Sequence, residues 1–336
     1  MIETIDPTTE AVLERIPPMD AREVEVKLAA ASRGAKTWSE TSFEQRAAML
    51  RAIAARLRTE RDQLAAAAVR EMGKPIRQAR AEIEKCAWSL EYFAEHGPQM
   101  LAPQQTPTNA SQSYVAFRPL GVLLAIMPWN FPFWQVFRAA APALMAGNAM
   151  LLKHASNTTR CALEIERVIH AAGAPKGLFG ALVMSGADVD HVIADPRIAA
   201  VTLTGGERAG MAVATAAGAA LKKCVLELGG SDAFIVLADA DLEKAAATAV
   251  TARFQNNGES CIAAKRFIVE AAAYDEFLSR FVELARAQVV GDPMDERVQL
   301  GPCARRDLRG TIDEQVQATI RQGARLALGG RPVDRR

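Results

Sequence analysis

Between Gly121 and Leu228, short apolar runs alternate with helical stretches, and this alternation constrains the fold more than any other feature of the chain. The run from Gly121 (GVLLAI), Ala149–Leu152, Gly180–Met184, Ala199–Leu203 and Lys223–Leu228 read as strands. Phe137–Met145 and Asn157–Ala172 read as helices, the second stopped by Gly173. Continuous rather than alternating apolar runs are the mark of strands buried on both faces, and helices between them imply a parallel sheet covered on both sides. A second α/β unit is expected from Ala233 (AFIVL), with a helix over 241–255, a strand over 266–269, helices over 272–289 and about 307–322, and a strand-like RLAL at Arg325–Leu328. The fold class is therefore α/β: a doubly wound, Rossmann-type domain over residues 1–226 and a second α/β domain over 227–336.

Ahead of the alternation, residues 20–100 read as helix. Met49, Leu50, Ile53, Leu57 and Leu64 recur at helical spacing, and Gly73 and Pro75 punctuate the stretch. Residues 101–113 are polar and aperiodic, hence a loop, and Ser113–Phe117 alternates as a strand. At 336 residues the chain suits about two domains of ~150 residues.

Lys and Arg total 40 and Asp and Glu 39, which gives no global signature for nucleic acid. No apolar run approaches the ~18 residues of a membrane span, and the acidic start does not read as a secretory signal. The five cysteines (86, 161, 224, 261 and 303) are odd in number and form no CxxC pair. With His96, His154, His170 and His191 they show no ligand spacing, so neither a disulfide framework nor a metal site is expected, and a reducing, cytoplasmic setting is.

Five segments carry chemistry. The strand Ala199–Leu203 feeds Thr204-Gly205-Gly206 and then a helix, a turn whose N–H groups can approach a phosphate; the plainer reading is a tight βα turn, since the spacing is not GxGxxG. Glu227 stands ~20 positions onward, where a conventional dinucleotide scheme places a ribose-binding acid. It also sits inside an apolar strand, where burial would suit it as a general base, or where Lys222 or Lys223 would pair it. Cys261 ends the polar loop QNNGES and opens an apolar, helix-like stretch, a setting that activates a thiol; a lone cysteine is otherwise a small core residue. Asn130, in the rigid loop Pro128-Trp129-Asn130-Phe131-Pro132, offers an amide donor suited to an oxyanion or simply a structural turn. Lys153 ends a strand, within reach of a ribose or phosphate or merely solvated.

Taken in order, MPWNFP, AGNAMLLKHAS, AAVTLTGGERAG, KKCVLELGGSDAFIVL and QNNGESCIAAKRFIV resemble the aldehyde dehydrogenase family, with similarity across essentially the whole chain. FWQVFR, LLKHASN and LELGGSD look like its succinate-semialdehyde branch. The resemblance implies Cys261 as the nucleophile that forms a thiohemiacetal and then a thioester. It implies an oxyanion resting on the Asn130 amide and the Cys261 N–H, and Glu227 as the base that activates the hydrolytic water. It implies NAD or NADP held by Met127, Pro128, Trp129, Lys153, Ser156, Thr204, Gly205, Gly206, Gly210 and Leu228. It further implies a small aldehyde substrate whose distal carboxylate meets Arg138, and a homo-oligomer built through a strand excursion near 109–119. Ser at 156, where NAD-selective members often carry Glu, implies tolerance of both nucleotides.

This chain departs from the family's usual residues at Gly206 (Ser), Glu259 (Gln) and Ala233 (Pro), and it has Gln255 where the branch has a second arginine. A carboxylate at Glu259 is expected to disfavour the nearby thiolate. The family continues past the position of Arg336 with an E-x-F-G-P motif and a final pairing strand, so the chain is expected to match roughly the first three quarters of the fold, with oligomerisation impaired. Two other readings stand beside an active enzyme: a shortened relative that binds nucleotide weakly or not at all, and a conventional Rossmann oxidoreductase, which gives NNGESC no role.

Overall fold

The computed structural model describes residues 1–333, and the chain divides into two compact units. The first comprises Met1–Thr4, Leu13–Ala67 and Arg80–Leu228; the second comprises Ile5–Val12, Ala68–Ala79 and the chain from Gly229 onward.

Two short strands that periodicity does not announce, β1 (Ile2–Ile5) and β2 (Val12–Ile16), pair at the start of the chain. Helices α1 (Ala21–Ser39), α2 (Phe43–Thr59), α3 (Arg61–Met72) and α4 (Ile76–Met100) follow. Capping boxes start the first two: Asp20 with Glu23, and Ser42 with Gln45, each satisfying N–H groups that a helix start leaves orphaned. The helical stretch around Leu50 and Leu64 is thus two helices that meet at Glu60, not one. The expected loop 101–113 contains β3 (Gln104–Gln105), which pairs antiparallel with β4 (Tyr114–Val115), shorter than the expected 113–117 strand.

The first unit is organised by a five-stranded parallel sheet of β5 (Val122–Met127), β6 (Ala149–His154), β7 (Phe179–Ala181), β8 (Ile198–Thr204) and β9 (Lys223–Glu227), in the order β7-β6-β5-β8-β9. From β5 the chain winds outward through β6 and β7, then returns to lay β8 and β9 on the other side. The winding therefore reverses between β5 and β8, and the crevice at the carboxyl ends of strands flanking such a reversal is where this topology holds ligands. Helices α5 (Trp134–Met145) and α6 (Thr159–Ala171) pack on one face, and α1, α7 (Val189–Ala194) and α8 (Glu207–Ala219) on the other. Leu124, Leu151, Val201 and Leu203 of the strands close a core with Leu28 of α1, Ile193 of α7 and Val213 of α8.

Close approach of α1 to the turn before β7 depends on two glycines. A Cβ on Gly34 would lie 2.5 Å from the Gly177 carbonyl carbon, and one on Gly177, at φ +83°, would lie 2.0 Å from the Ala30 carbonyl oxygen. Gly177→Ala combines a left-handed backbone with a backbone clash. We expect a loss of roughly 3 kcal/mol or more, read as a lower denaturant midpoint at unchanged m-value.

In the second unit β10 (Ala233–Val236) and β11 (Arg266–Val269) pair in parallel. They are accompanied by α9 (Leu242–Phe254) and α10 (Tyr274–Arg286), with Val236, Ala246, Ala249 and Phe277 at the centre of a small core. Helix α11 (Arg306–Arg321) follows. Arg325–Leu328 forms no strand: its apolar residues run consecutively, but no neighbouring strand takes up its backbone groups among the described residues. No helix of the described residues is long and apolar enough to cross a membrane, and no cluster of three or more His, Cys, Asp or Glu among them could hold a metal ion.

Candidate functional site

The residues of the first unit singled out by sequence gather at the carboxyl edge of the sheet, for reasons of register. Ile126 of β5 stands opposite Lys153 of β6 and Leu203 of β8, while Thr204 stands opposite Glu227 of β9. Met127 ends β5 and is buried, and Pro128, Trp129 and Asn130 follow it in a partly exposed loop. Ser156 is exposed and opens a short turn beyond β6.

The 128–133 loop is held from two sides by residues that sequence reasoning missed. Glu82 of α4, itself buried, accepts hydrogen bonds from the backbone N–H groups of Phe133 and Trp134, both at 2.8 Å. A carboxylate there complements the N-terminus of α5. Buried His154 bridges the other side. Ala155 N–H donates to its Nδ1 at 2.8 Å, so Nε2–H donates to the Pro132 carbonyl, also at 2.8 Å. Burial pushes the imidazole down to about 4, so the ring is neutral at physiological pH. The available signal for Glu82 was a charged residue on the apolar stripe of α4 with Ala79, Ile83 and Cys86. Within the loop, Asn130 Oδ1 accepts from Phe131 N–H at 3.1 Å, which fixes the plane of its amide.

Lys153 is buried beside His154, and desolvation pushes its amine below the ordinary lysine range. At the end of β8, Gly205 N–H donates to the Glu227 carbonyl at 3.0 Å, tying the glycine turn to β9. Gly206 is the N-cap of α8 in extended conformation and supplies no side-chain cap. A Cβ on Gly206 would meet nothing, so the N-terminus of α8 opens onto free space. An uncapped helix start and glycine turn after β8, with a lysine on β6 two strands away, fit the pyrophosphate and ribose of a dinucleotide. Gly210 serves by its size: a Cβ there would lie 2.7 Å from Leu228 Cδ2, so Leu228 packs onto α8.

Glu227 is not buried as the sequence led us to expect. Its side chain is 53 % exposed, because it lies at the end of an edge strand. It also pairs with neither Lys222 nor Lys223. Its Oε2 is 3.5 Å from NH2 of Arg138 on α5, and the same NH2 donates to Thr204 Oγ1 at 3.3 Å. The ribose role of the conventional scheme does not fit either. There the glycine turn follows the first strand of the winding, whereas here it follows β8, and β5 is followed by Pro128–Pro132.

In the second unit Cys261 is partly exposed and lies in a single turn, with Ala263 N–H bonded to the Ser260 carbonyl. It does not start a helix, contrary to the sequence expectation. Side chains rather than a helix shape this loop. Asn256 and Asn257 both adopt positive φ, at +52° and +62°. Asn257 Nδ2 donates to the Gly73 and Pro302 carbonyls at 3.0 and 2.9 Å, and its Oδ1 accepts from Gly301 N–H at 2.7 Å. Gln78 Oε1 accepts from Asn256 N–H, and Arg253 donates to the Ala264 and Gly258 carbonyls. Lys265 Nζ bridges the carbonyls of Cys261, at 2.7 Å, and Gly230, at 2.9 Å. Gln255 folds back onto the Ala252 carbonyl.

Glu259 is largely buried and accepts from Ala304 N–H at 3.1 Å. Burial pushes its carboxyl up to about 7, so below that pH it is mostly protonated and the expected like charge beside the thiol is muted.

Comparison with known proteins gives the family of the chain. The model of the aldehyde dehydrogenase family matches residues 1–336. Succinate semialdehyde dehydrogenase [NAD(P)+] Sad of Escherichia coli (strain K12) is 51% identical over 327 residues, 97% of this chain and 71% of that protein. The probable succinate-semialdehyde dehydrogenase [NADP(+)] of Synechocystis sp. is 49% identical over 333 residues, 99% of this chain and 73% of that protein. The crystal structure of succinic semialdehyde dehydrogenase from Streptococcus pyogenes, in complex with NADP+ as the cofactor, superposes with a TM-score of 0.97 at 36% identity, over 99% of this chain and 74% of that one.

Proposed function

Since this chain belongs to the aldehyde dehydrogenase family, an α/β family of NAD(P)-dependent oxidoreductases, we propose that it oxidises a small semialdehyde, succinate semialdehyde first among them, to the corresponding acid. The observation that carries the reading is the register at the carboxyl edge of the sheet, which aligns Lys153, Thr204 and Glu227 beside the loop of Asn130.

Cys261 attacks the aldehyde carbon, and the resulting oxyanion rests on the Asn130 amide and the Cys261 N–H. When bound, the nicotinamide supplies a hydride acceptor. Cys261 then holds the acyl group as a thioester, and Glu227 takes a proton from the water that hydrolyses it. Met127, Pro128, Trp129 and Leu228 line the nucleotide, Lys153 and Ser156 meet its adenosine ribose, and Thr204, Gly205, Gly206 and Gly210 form the approach to its pyrophosphate. Arg138 meets the distal carboxylate of the substrate through its planar fork, and Gln255 leaves it without a second arginine. In the same reading residues 1–226 bind nucleotide and 227–336 carry the nucleophile. The exposed Tyr114, Val115 and Phe117 around β4 serve subunit pairing, and the five free cysteines suit the cytoplasm.

The test is aldehyde-dependent formation of reduced nicotinamide, with NAD and NADP each titrated. Succinate semialdehyde should outpace butanal, which lacks the carboxylate; equal rates remove the semialdehyde assignment. Ser156→Glu sets a carboxylate against a 2′-phosphate and should weaken NADP by about ten-fold or more while NAD is held, since like charges in apposition are costly. Equal loss of both nucleotides would remove Ser156 from the ribose site.

A further inference from the structure

Resting on that reading, we propose that Arg138 is shared between Glu227 and the substrate's distal carboxylate, so that a carboxylate-bearing acyl group releases Glu227 to activate water. Both of Arg138's contacts among the described residues run through one nitrogen: NH2 to Glu227 Oε2 at 3.5 Å and NH2 to Thr204 Oγ1 at 3.3 Å. A guanidinium offers five donors in a rigid fork, so this pairing leaves most of its hydrogen-bonding capacity unused.

The pair is also loose. Arg138 and Glu227 are 37 % and 53 % exposed, the contact is longer than a charge-assisted hydrogen bond, and ion pairs in such surroundings contribute little. A second carboxylate that binds the fork in two-point fashion therefore displaces Glu227 at small cost. While Glu227 Oε2 faces Arg138 it is turned toward a cation rather than toward water. Once displaced, it takes a proton from water, the water oxygen bonds to the acyl carbon, and the carbon–sulfur bond breaks. Cys261 leaves as thiolate and recovers the proton, and the products are the free acid and the thiol. An uncharged acyl group leaves the Arg138–Glu227 pair intact and is hydrolysed slowly. The arginine thus acts twice, as a substrate contact and as a positioning residue that withholds the base from the wrong acyl group.

The experiment isolates hydrolysis from oxidation. The chain is acylated with p-nitrophenyl butyrate or with the mono-p-nitrophenyl ester of succinate, and loss of the acyl mass from Cys261 is followed by mass spectrometry. In the native chain the succinyl group should leave up to about five-fold faster than the butyryl group, the factor that release from one exposed ion pair commands. In Arg138→Gln nothing withholds Glu227, so the butyryl rate should rise to meet a succinyl rate that stays near the native one. Arg138→Lys keeps a cation for Glu227 but loses the fork. It should hold the butyryl rate low while retaining only part of the succinyl rate, and a thermal melt of each variant verifies folding. Equal slowing of both acyl groups in Arg138→Gln, or an unchanged butyryl rate, overturns the sharing. If no acyl mass appears on Cys261 the thioester reading itself fails, and if Glu227→Gln hydrolyses both groups at the native rate the assignment of Glu227 as base fails; either ends the inference.

Discussion

Cys261→Ala should abolish aldehyde-dependent formation of reduced nicotinamide, a loss of about 10⁴-fold or more, as removal of a covalent nucleophile does elsewhere. Nucleotide affinity should stay close to native, because every group assigned to the nucleotide lies in the first unit and Cys261 in the second. The fold should also hold. The turn around residue 261 is pinned by backbone carbonyls and by Asn257, Arg253 and Lys265, and none of these contacts uses the thiol. Glu227→Gln gives a different signature. Its side chain is half exposed, so the exchange strands no buried charge, and hydride transfer should continue to one equivalent before hydrolysis stalls. Rapid mixing should therefore show a burst without steady turnover for Glu227→Gln and no burst for Cys261→Ala. Intact dehydrogenase activity in Cys261→Ala would end the thioester mechanism for this chain.

Glu259→Gln should change how stability depends on pH. Burial raises the native carboxyl from 4.5 to about 7, so between those values the folded chain binds more protons than the unfolded one. The stabilisation is complete below pH 4.5 and is lost as pH rises through 7. The shift corresponds to an effect on the order of 3 kcal/mol. His154 works in the opposite sense. Its folded value of about 4 lies below the ordinary 6.5, so its contribution is complete above pH 6.5 and is lost as pH falls through 4. In the native chain the two slopes oppose each other between pH 4.5 and 6.5. Glutamine keeps an acceptor for Ala304 N–H but cannot ionise, so the variant should lose this one component of the slope and keep that of the other shifted groups, His154 among them. The melting temperature of the variant relative to that of the native chain should climb between pH 4.5 and about 7 and then hold. Parallel curves for the two proteins would show that Glu259 ionises as freely folded as unfolded.

What the sequence disclosed and what it hid divide along a physical line. The sheet was legible because its strands are continuous apolar runs between helices, a pattern that each segment carries within itself. The glycine turn, Lys153 and the Asn130 loop were legible because strand ends and punctuating residues mark them. The break at Glu60 was hidden, since neither glycine nor proline signals it and the apolar spacing runs straight through. The conformation around Cys261 was hidden for a deeper reason. Asn257 reaches Pro302 across 45 positions and Gly73 across 184, and no local window contains such partners. Glu82 and His154 look like stray polar residues in apolar company until the loop they brace is in view. The partner of Glu227 escaped too, because Arg138 approaches from α5 and not from the adjacent lysines.

The anchoring of the Cys261 loop bears on how the protein is made. The carbonyl of Gly73 and the side chain of Gln78 are synthesised long before Asn256 and Asn257, whereas Gly301, Pro302 and Ala304 follow later. Until residue 304 has left the ribosome, the loop lacks part of the scaffold that holds two asparagines in left-handed conformations. Contacts of such long sequence separation form late, after the entropy of closing the intervening chain has been met. The parallel sheet of the first unit has all its strands by residue 227 and can assemble while the thiol is still unplaced. Synthesis order thus delays the shaping of the Cys261 loop until the parallel sheet already exists.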